Sequence, residues 1–291
     1  MPRLKGQKLN QLRLLMVHAH PDDEASKGAA TVAKYVEDGV EVMIATCTGG
    51  ERGDVLNPKL DKPEIKENLF EIRRKEMQES IKILGAKHTW LGFVDSGWPD
   101  GEPKPPLPKG CFADISVEEA AKPLIKVIRE FRPQVLVTYD ENGGYPHPDH
   151  IRCHEITMFA YEQSGRVNKY EELGFAWQPL KVYYHRSFNL SQLKAIDNAF
   201  KELGKPNPYA EWMDESKDDS DRTTTQIECA KYFDKRDLAL LAHATQVDPD
   251  GDWFALPTEV AKRIWPTEDY QLAISRVTVN TPETDLFAGL R

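Results

Sequence analysis

The chain has 291 residues, 40% of them hydrophobic and 29% charged, so it is long enough to bury a large core. Its net charge of −9 at pH 7 argues against a nucleic-acid groove or an anionic membrane as partner and permits a small polar substrate. No apolar stretch is long enough to span a bilayer, which predicts a cytoplasmic protein. The four cysteines form no CxxC pair, which favours reduced, buried thiols over disulfides or a thiolate zinc site.

Apolar runs and helical periodicity alternate along the first two thirds of the chain. Residues 12–19 and 40–47 predict buried strands, and the helix-like stretch 26–38 between them completes a βαβ unit, which implies a parallel sheet. The Pro-rich stretch 98–110 predicts an irregular loop, because proline cannot donate to a strand ladder. The other predicted elements are helices at 64–84, 117–131 and 150–163 and strands at 88–93, 134–140 and 180–188.

This alternation predicts an α/β fold with a Rossmann-like, mostly parallel sheet and flanking helices. We assign residues 1–188 to this core. Over residues 189–291 the pattern changes to helices and polar loops, and we interpret this part as a C-terminal cap. The cap is expected to complete the site, so that core and cap form one compact unit.

Acidic and histidine-containing segments follow the predicted strands. They read HAHPDDE, TCTGGERGD, GFVDSG and TYDENGGYPHPDH. Ligands of open parallel sheets bind beyond the carboxyl ends of the strands, so these segments predict one functional site at that edge.

Two of these segments carry histidine and aspartate in a pattern typical of a divalent-metal site. His20 and Asp23 from HPDDE, with His150 from HPDH, would supply nitrogen and oxygen ligands and leave a position for water. Such ligands accept Zn²⁺, our expected cofactor, and also Fe²⁺. Three rival ligands lie deeper along the same elements, away from the open edge: His18, Cys153 and His154.

Other residues of the two motifs are candidates for proton transfer and charge stabilisation. A carboxylate beside a metal-bound water is the natural general base, so we assign that role to Asp22, with support of a histidine as the alternative. We expect Asp149 to orient His147 within the catalytic group. Tyr145 either donates a hydrogen bond to a developing oxyanion or packs on the neighbouring NGG loop. Glu24 receives no role beyond structural support.

The pair AHPDDE and GGYPHPDH resembles the LmbE-like (PIG-L) family of metal-dependent amide hydrolases, which act on N-acylated glucosamine compounds. The stretches TGGERGD, LGFVDSG and KRDLALLAHATQVDP extend the resemblance over essentially the whole chain. The resemblance implies that His20, Asp23 and His150 bind zinc and that Asp22 is the general acid and base. It also implies that His147 and Tyr145 stabilise the tetrahedral intermediate or assist the leaving group.

The same resemblance implies contacts to the sugar and inositol of a substrate. The matching positions are Glu51, Arg73 and Asp95, with Arg74 in place of Arg73 if the register differs by one. His243 and Gln246, in AHATQ, either approach the site from the cap or, for His243, end a helix, and they receive no catalytic role.

Two sister reactions of the mycothiol pathway fit this family. One hydrolyses the amide bond of mycothiol S-conjugates and releases an N-acetylcysteine S-conjugate and glucosaminyl-inositol, a detoxification step. The other, our alternative, deacetylates N-acetylglucosaminyl-inositol. Lys27 and the stretch YYHRSF resemble the enzymes of the first reaction, and this resemblance favours it; Lys27 could bind a carbonyl or acid of the cysteinyl portion.

Two hypotheses come from different classes of protein. One is a non-catalytic α/β sugar-binding module, and the other is a Rossmann oxidoreductase, although the sequence lacks the glycine fingerprint of such enzymes. A carbohydrate-chain deacetylase would need an open groove. The expected partner is a small thiol-conjugate substrate, and a homo-oligomer is left open.

Overall fold

The computed structural model describes residues 11–215 and 218–291, with one seven-stranded sheet in the described part. In chain order the strands are β1 (Arg13–His18), β2 (Glu41–Thr48), β3 (Lys87–Phe93), β4 (Val135–Thr138), β5 (Lys181–Arg186), β6 (Thr225–Glu228) and β7 (Thr267–Ser275). Their order across the sheet is β3-β2-β1-β4-β5-β7-β6. The first five strands are parallel, and β7 runs antiparallel to both of its neighbours. The predicted α/β fold with a mostly parallel sheet is therefore confirmed.

The helices of the described chain are α1 (Asp23–Ser26), α2 (Ala29–Glu37), α3 (Pro63–Glu67), α4 (Leu69–Leu84), α5 (Val117–Phe131), α6 (Pro148–Ser164), α7 (Leu190–Leu203), α8 (Ala210–Glu215), α9 (Phe233–Ala242) and α10 (Thr258–Ile264). The predicted helix 26–38 is interrupted at Gly28, whose φ of 106° suits glycine and whose added Cβ would lie 2.5 Å from Met16. The predicted helix 64–84 is likewise divided at Asn68. The Pro-rich stretch 98–110 contains no helix or strand, as expected.

Helices cover both faces of the parallel part of the sheet. On β1, Leu14 and Met16 face the layer that contains α2, while Leu15 and Val17 face the layer of α5 and α6. Because both faces are buried, the strand needs apolar side chains at every position, which explains its continuous apolar run.

The C-terminal part of the chain contributes more than the helices and loops that we predicted. β6 and β7 extend the same sheet. β7 pairs with β5 along its length, with Ser275 opposite Lys181 at one end and Asp269 opposite Arg186 at the other. These strands were missed because polar residues such as those of TEDYQ interrupt the apolar alternation. α9 packs on α2 and α4, so this part also covers the core. The first ten residues of the predicted core lie outside the described residues.

One further sequence expectation is met in the described chain. All four cysteines are buried and free, as predicted. Among the helices of the described residues, none has the length and apolar character needed to cross a bilayer.

The topology itself selects a place for the site. β1 lies between β2 and β4, so the connections that leave β1 and β4 diverge to opposite sides of the sheet. Such a switch point opens a crevice at the carboxyl ends of the two strands. HPDDE follows β1 and HPDH follows β4, so both motifs lie at this crevice.

Candidate active site

Asp23 lies at the centre of the crevice and is almost completely buried. Its Oδ2 accepts hydrogen bonds from the Tyr139 hydroxyl (2.7 Å) and the backbone N–H of His20 (2.9 Å). Its Oδ1 accepts one from Lys27 Nζ (2.7 Å). Two donors from the same loop and helix and one from the end of β4 therefore fix the orientation of this carboxylate.

His150 enters the crevice from the first turn of α6, which Pro148 opens as predicted. Its Nδ1 donates to the carbonyl oxygen of Gly143 (2.9 Å), so the neutral ring carries a bare lone pair on Nε2. Burial lowers the pKa of His150 to about 3, which keeps the ring neutral. Nε2 is buried without a hydrogen-bond partner in the described chain and lies 3.4 Å from Asp23 Oδ2. Two acceptors face each other here, an arrangement that a cation would stabilise.

His20 completes this group. One potential ligand atom from each of His20, Asp23 and His150 lies within 4.8 Å of the others, and His20 Nδ1 lies 3.6 Å from Asp23 Oδ2. The structure therefore brings the three predicted ligands together. Two imidazoles and one carboxylate are a donor set that suits zinc and leaves a coordination position open.

A second group of three potential ligands, His20, Asp95 and His147, lies beside the first. The Asp95 carboxylate oxygens accept backbone N–H groups from Arg52 (3.0 Å) and Gly97 (2.8 Å), and those of Asp23 likewise accept hydrogen bonds, so the carboxylates do not distinguish the two groups. The first group alone contains a buried, unpartnered ring nitrogen, so it fits a cation better.

Asp149 differs from our expectation. Its carboxylate Oδ2 lies 3.2 Å from His20 Nε2 and accepts the backbone N–H of Ser96 (2.9 Å), so the side chain orients His20 and not His147. Only the backbone N–H of Asp149 reaches His147, donating to Nδ1 (3.1 Å). The helix turn at His147 directs the Asp149 side chain towards the strand loops. A carboxylate behind a histidine is the usual support for a metal ligand.

The carboxylates around His20 favour a positive charge at its ring, either a proton or a metal ion. Burial opposes protonation of the ring, but the hydrogen bond to Asp149 and the charge of Asp23 raise its pKa to about 9. The same carboxylates would favour a divalent cation that displaces the proton.

Asp22 adopts an unusual backbone conformation for a residue with a Cβ. Its φ is 100°, in the left-handed region, where such residues are uncommon and strained. Its N–H donates to Glu24 Oε2 (3.0 Å), and its carbonyl oxygen accepts the N–H of Ser26 (2.9 Å). Burial and the charge of Asp23 raise the pKa of Asp22 to about 6. A carboxyl group with this pKa can both accept and donate a proton near neutrality.

Glu24 carries a larger role than we assigned. The side chain is fully buried, and Oε1 accepts hydrogen bonds from the Ser80 hydroxyl (2.6 Å) and His243 Nε2 (2.6 Å). Burial opposes ionisation, but His243 and Ser80 lower the pKa of Glu24 to about 2, and Glu24 raises that of His243. Glu24 thus joins the backbone of Asp22 to the C-terminal part of the chain.

His243 and Gln246 both reach the loop after β1. His243 follows the last residue of α9 and so ends that helix, which was one of the two expectations for it. Its side chain also contacts Glu24, in the segment that follows β1, which agrees with the other expectation, an approach from the C-terminal part. Gln246 Nε2 donates to the carbonyl oxygen of Pro21 (2.7 Å). Little in the sequence indicates the contact between Glu24 and His243. The sequence shows an acid in the HPDDE motif and a histidine in AHATQ, but the two residues are 219 positions apart.

Arg73, Glu51 and Asp95, the residues matched to sugar and inositol contacts, lie around the carboxyl ends of β2 and β3. Arg73 is buried and donates to the carbonyl oxygens of Gly50 and Asp54, so it holds this loop, whereas Arg74 lies over the rings of Phe70 and Trp90. Glu51 Oε1 accepts the N–H of Asp95 (3.0 Å), and its Oε2 is buried without a hydrogen-bond partner in the described chain. Asp95 Oδ1 lies 3.7 Å from His20 Nε2.

Lys27 and Tyr145 lie at the opening of the crevice. Besides Asp23, the Lys27 ammonium donates to Ser26 Oγ (3.2 Å), and it lies 6.0 Å from the centre of the Tyr145 ring. The Tyr145 ring is partly exposed and its centre is 4.5 Å from that of His150. Trp98, from the Pro-rich loop, lies 5.7 Å from the His147 ring and was not among our candidates.

The rival ligands have structural partners, although His18 Nε2 is buried without a hydrogen-bond partner in the described chain. His18 Nδ1 lies 3.4 Å from the Tyr139 hydroxyl, and His154 Nδ1 donates to the Tyr139 carbonyl oxygen (3.0 Å). The Cys153 thiol donates to the carbonyl oxygen of Val17 (3.5 Å). None of the three belongs to a potential ligand group within the described residues.

Comparison with known proteins agrees with this geometry. Residues 15–161 match the family described as PIG-L, GlcNAc-PI de-N-acetylase. The chain is 56% identical over 288 residues to mycothiol S-conjugate amidase of Streptomyces coelicolor, covering 97% of this chain and 98% of that protein. It is 39% identical over 294 residues to 1D-myo-inositol 2-acetamido-2-deoxy-alpha-D-glucopyranoside deacetylase of Streptomyces avermitilis, covering 96% and 97%.

A solved structure shares the fold. N,N'-diacetylchitobiose deacetylase from Pyrococcus horikoshii superposes with a TM-score of 0.61 at 19% identity, covering 89% of this chain and 83% of that one. The near full-length similarity to curated relatives and the matched family region lead to one conclusion. The chain belongs to the PIG-L (GlcNAc-PI de-N-acetylase) family.

Proposed function

We propose that the protein hydrolyses the amide bond of mycothiol S-conjugates in a metal-dependent reaction. The products would be an N-acetylcysteine S-conjugate and glucosaminyl-inositol. The observation that supports metal-dependent chemistry is the buried, unpartnered Nε2 of His150, 3.4 Å from the Asp23 carboxylate. The choice of substrate rests on 56% identity to a mycothiol S-conjugate amidase over nearly the whole chain.

His20, Asp23 and His150 would hold the cation, with Asp149 behind His20. Zn²⁺ is the proposed ion, and Fe²⁺ suits the same ligands. The chemistry that a divalent cation supplies at such a site is polarisation of a carbonyl group and acidification of a water molecule.

Asp22 would move the proton. Its carboxylate takes a proton from the attacking water while the water oxygen bonds to the amide carbon. The protonated carboxyl then delivers that proton to the glucosamine nitrogen as the carbon–nitrogen bond breaks, leaving an acid and an amine. A pKa raised to about 6 by burial and by Asp23 suits both halves of this cycle.

His147 and Tyr145 would stabilise negative charge on the carbonyl oxygen. Burial and the charge of His20 lower the pKa of His147 to about 4, so its ring is neutral at pH 7. Because Nδ1 accepts the N–H of Asp149, the ring proton lies on Nε2, which can donate a hydrogen bond. Tyr145 would add a hydroxyl donor from the opening of the crevice.

The remaining candidates would bind the substrate or hold the loop that does. Lys27 would contact a carbonyl or acid group of the cysteinyl portion. Glu51 and Asp95 would accept hydrogen bonds from sugar hydroxyls, and Arg73 would hold the loop that carries Glu51. We also propose that residues 189–291 complete the site within one unit, since His243 and Gln246 contact the loop after β1.

The test is a comparison of two substrates on the same metal-loaded protein. A bulky mycothiol S-conjugate should be hydrolysed with the higher kcat/KM, and N-acetylglucosaminyl-inositol with the lower. The reverse preference would support the deacetylase alternative, which the 39% identical relative favours. If chelation of the metal left hydrolysis unchanged, the metal-dependent mechanism would be wrong. If metal-loaded protein hydrolysed neither substrate, a non-catalytic sugar-binding module would become the better interpretation.

A further inference from the structure

A second cavity lies beyond the carboxyl end of β5, beside the candidate active site. It has a volume of about 130 Å³, is open on one side, and is lined by residues of β5, β7 and the helices α7, α9 and α10. Its apolar lining includes Phe188, Ile196, Tyr209, Trp253, Leu256 and Trp265. The mechanism proposed above uses none of these side chains.

One hydrogen bond connects this cavity to the active site. Ser26 lines the cavity and accepts a hydrogen bond from Lys27 Nζ, which also binds the Asp23 carboxylate. His185, at the end of β5, lines the cavity as well. β4 alone separates β1 from β5, so the ends of these two strands lie about 10 Å apart at the usual strand spacing. Lys27 therefore stands between the reacting centre and the cavity.

The lining suits an aromatic or other polarisable apolar group. The Phe188 ring lies 5.5 Å from the Tyr209 ring and 5.8 Å from the Trp253 ring, and these three rings form one side. Two arginines also line the cavity, and carboxylates hold both: Arg186 pairs with Asp219, and Arg236 pairs with Asp237. Glu268 and Asp269 make the strand side of the lining acidic, so the apolar rings are the part that suits an aryl group.

We propose that this cavity binds the sulfur-linked substituent of the substrate, and that it prefers an aryl or similar apolar substituent. This inference rests on the proposed function, because only the conjugate carries such a group. Three covalent bonds separate the amide carbon from the cysteine sulfur, a reach of about 4 Å. With Lys27 on the cysteinyl portion, the sulfur lies close enough to the active site for a substituent of a few further atoms to span the remaining distance to the end of β5.

The test compares an S-benzyl with an S-methyl conjugate of the same thiol. Leu256→Trp, which fills the cavity, should lower kcat/KM for the S-benzyl substrate about tenfold and leave the S-methyl substrate within about twofold. Trp253→Ala removes one ring of the wall and should lower kcat/KM for the S-benzyl substrate several-fold. Trp212→Ala is its matched control, because both tryptophans contact Phe188 and are similarly exposed (40% and 48%), but Trp212 does not line the cavity.

The outcomes separate this inference from the proposed function. If wild-type protein hydrolysed neither conjugate, both would be wrong. If it hydrolysed both conjugates, but Leu256→Trp and Trp253→Ala changed the two kcat/KM values equally or not at all, the proposed function would stand and the cavity assignment would fall. A loss in Trp212→Ala equal to that in Trp253→Ala would also overturn the assignment.

Discussion

Replacing His243 with alanine tests whether the C-terminal part of the chain positions the general base. His243 Nε2 lies 2.6 Å from Glu24 Oε1, and both side chains are 0% exposed. Removal of one partner of a buried pair typically costs 3–5 kcal/mol, because the other charge is left uncompensated. Glu24 keeps the Ser80 hydroxyl and the Asp22 N–H as donors, so we expect a loss near the lower end, about 3 kcal/mol.

The expected loss corresponds to a melting temperature lower by roughly 6 °C for a chain of this size. Activity should fall as well, because Glu24 Oε2 holds the N–H of Asp22 in its left-handed conformation. Bound metal should remain, since Asp23 keeps its bonds from Lys27, Tyr139 and His20. The assay therefore combines thermal or denaturant unfolding, metal content by mass spectrometry, and kcat.

Two further variants separate positioning from general destabilisation. His243→Gln retains a side-chain N–H donor for Glu24 and should restore most of the stability and kcat. Thr245→Val removes a hydrogen bond to Glu76 (2.7 Å) from the same segment, without touching Glu24. Because the bond is buried and made to a carboxylate, the change should cost about 2 kcal/mol and leave kcat unchanged. A His243→Ala protein that loses less than about 1 kcal/mol would refute the burial reasoning, and normal kcat in a destabilised protein would refute positioning of Asp22.

Three other changes test the remaining assignments. Asp22→Asn should retain metal and lose at least about 100-fold in kcat. Asparagine tolerates the left-handed conformation but cannot transfer the proton. Near-normal turnover would contradict the role of Asp22. His150→Asn should abolish stoichiometric metal, whereas His154→Asn, one turn later on α6, should keep it; equal metal contents would show that His150 is not a ligand. In the folded protein the pKa of Glu24 is lowered to about 2 from its ordinary value of 4.5, so its ionised form stabilises the fold above pH 4.5 and this contribution is lost as pH falls towards 2. The decrease in the free energy of unfolding on acidification should therefore be smaller in Glu24→Gln.

Much of the architecture could be predicted because it is encoded locally. Apolar runs bounded by glycine and proline predicted the five parallel strands, and their carboxyl ends predicted where the polar segments would meet. Proline in HPDH predicted the start of α6, so that His150 would point into the crevice. The antiparallel strands β6 and β7 were missed, because their polar residues hide the alternation that a half-buried strand normally shows.

The sequence by itself therefore determined the α/β fold, the edge of the sheet that carries the site, and the group His20, Asp23 and His150. Only the tertiary structure decided that Asp149 supports His20, and that Glu24 links Asp22 to His243. The physical reason is the range over which each property is set. Strand period and helix starts depend on neighbouring residues, whereas the partner of a buried charge is whichever group the fold brings within hydrogen-bond distance, here 219 residues away.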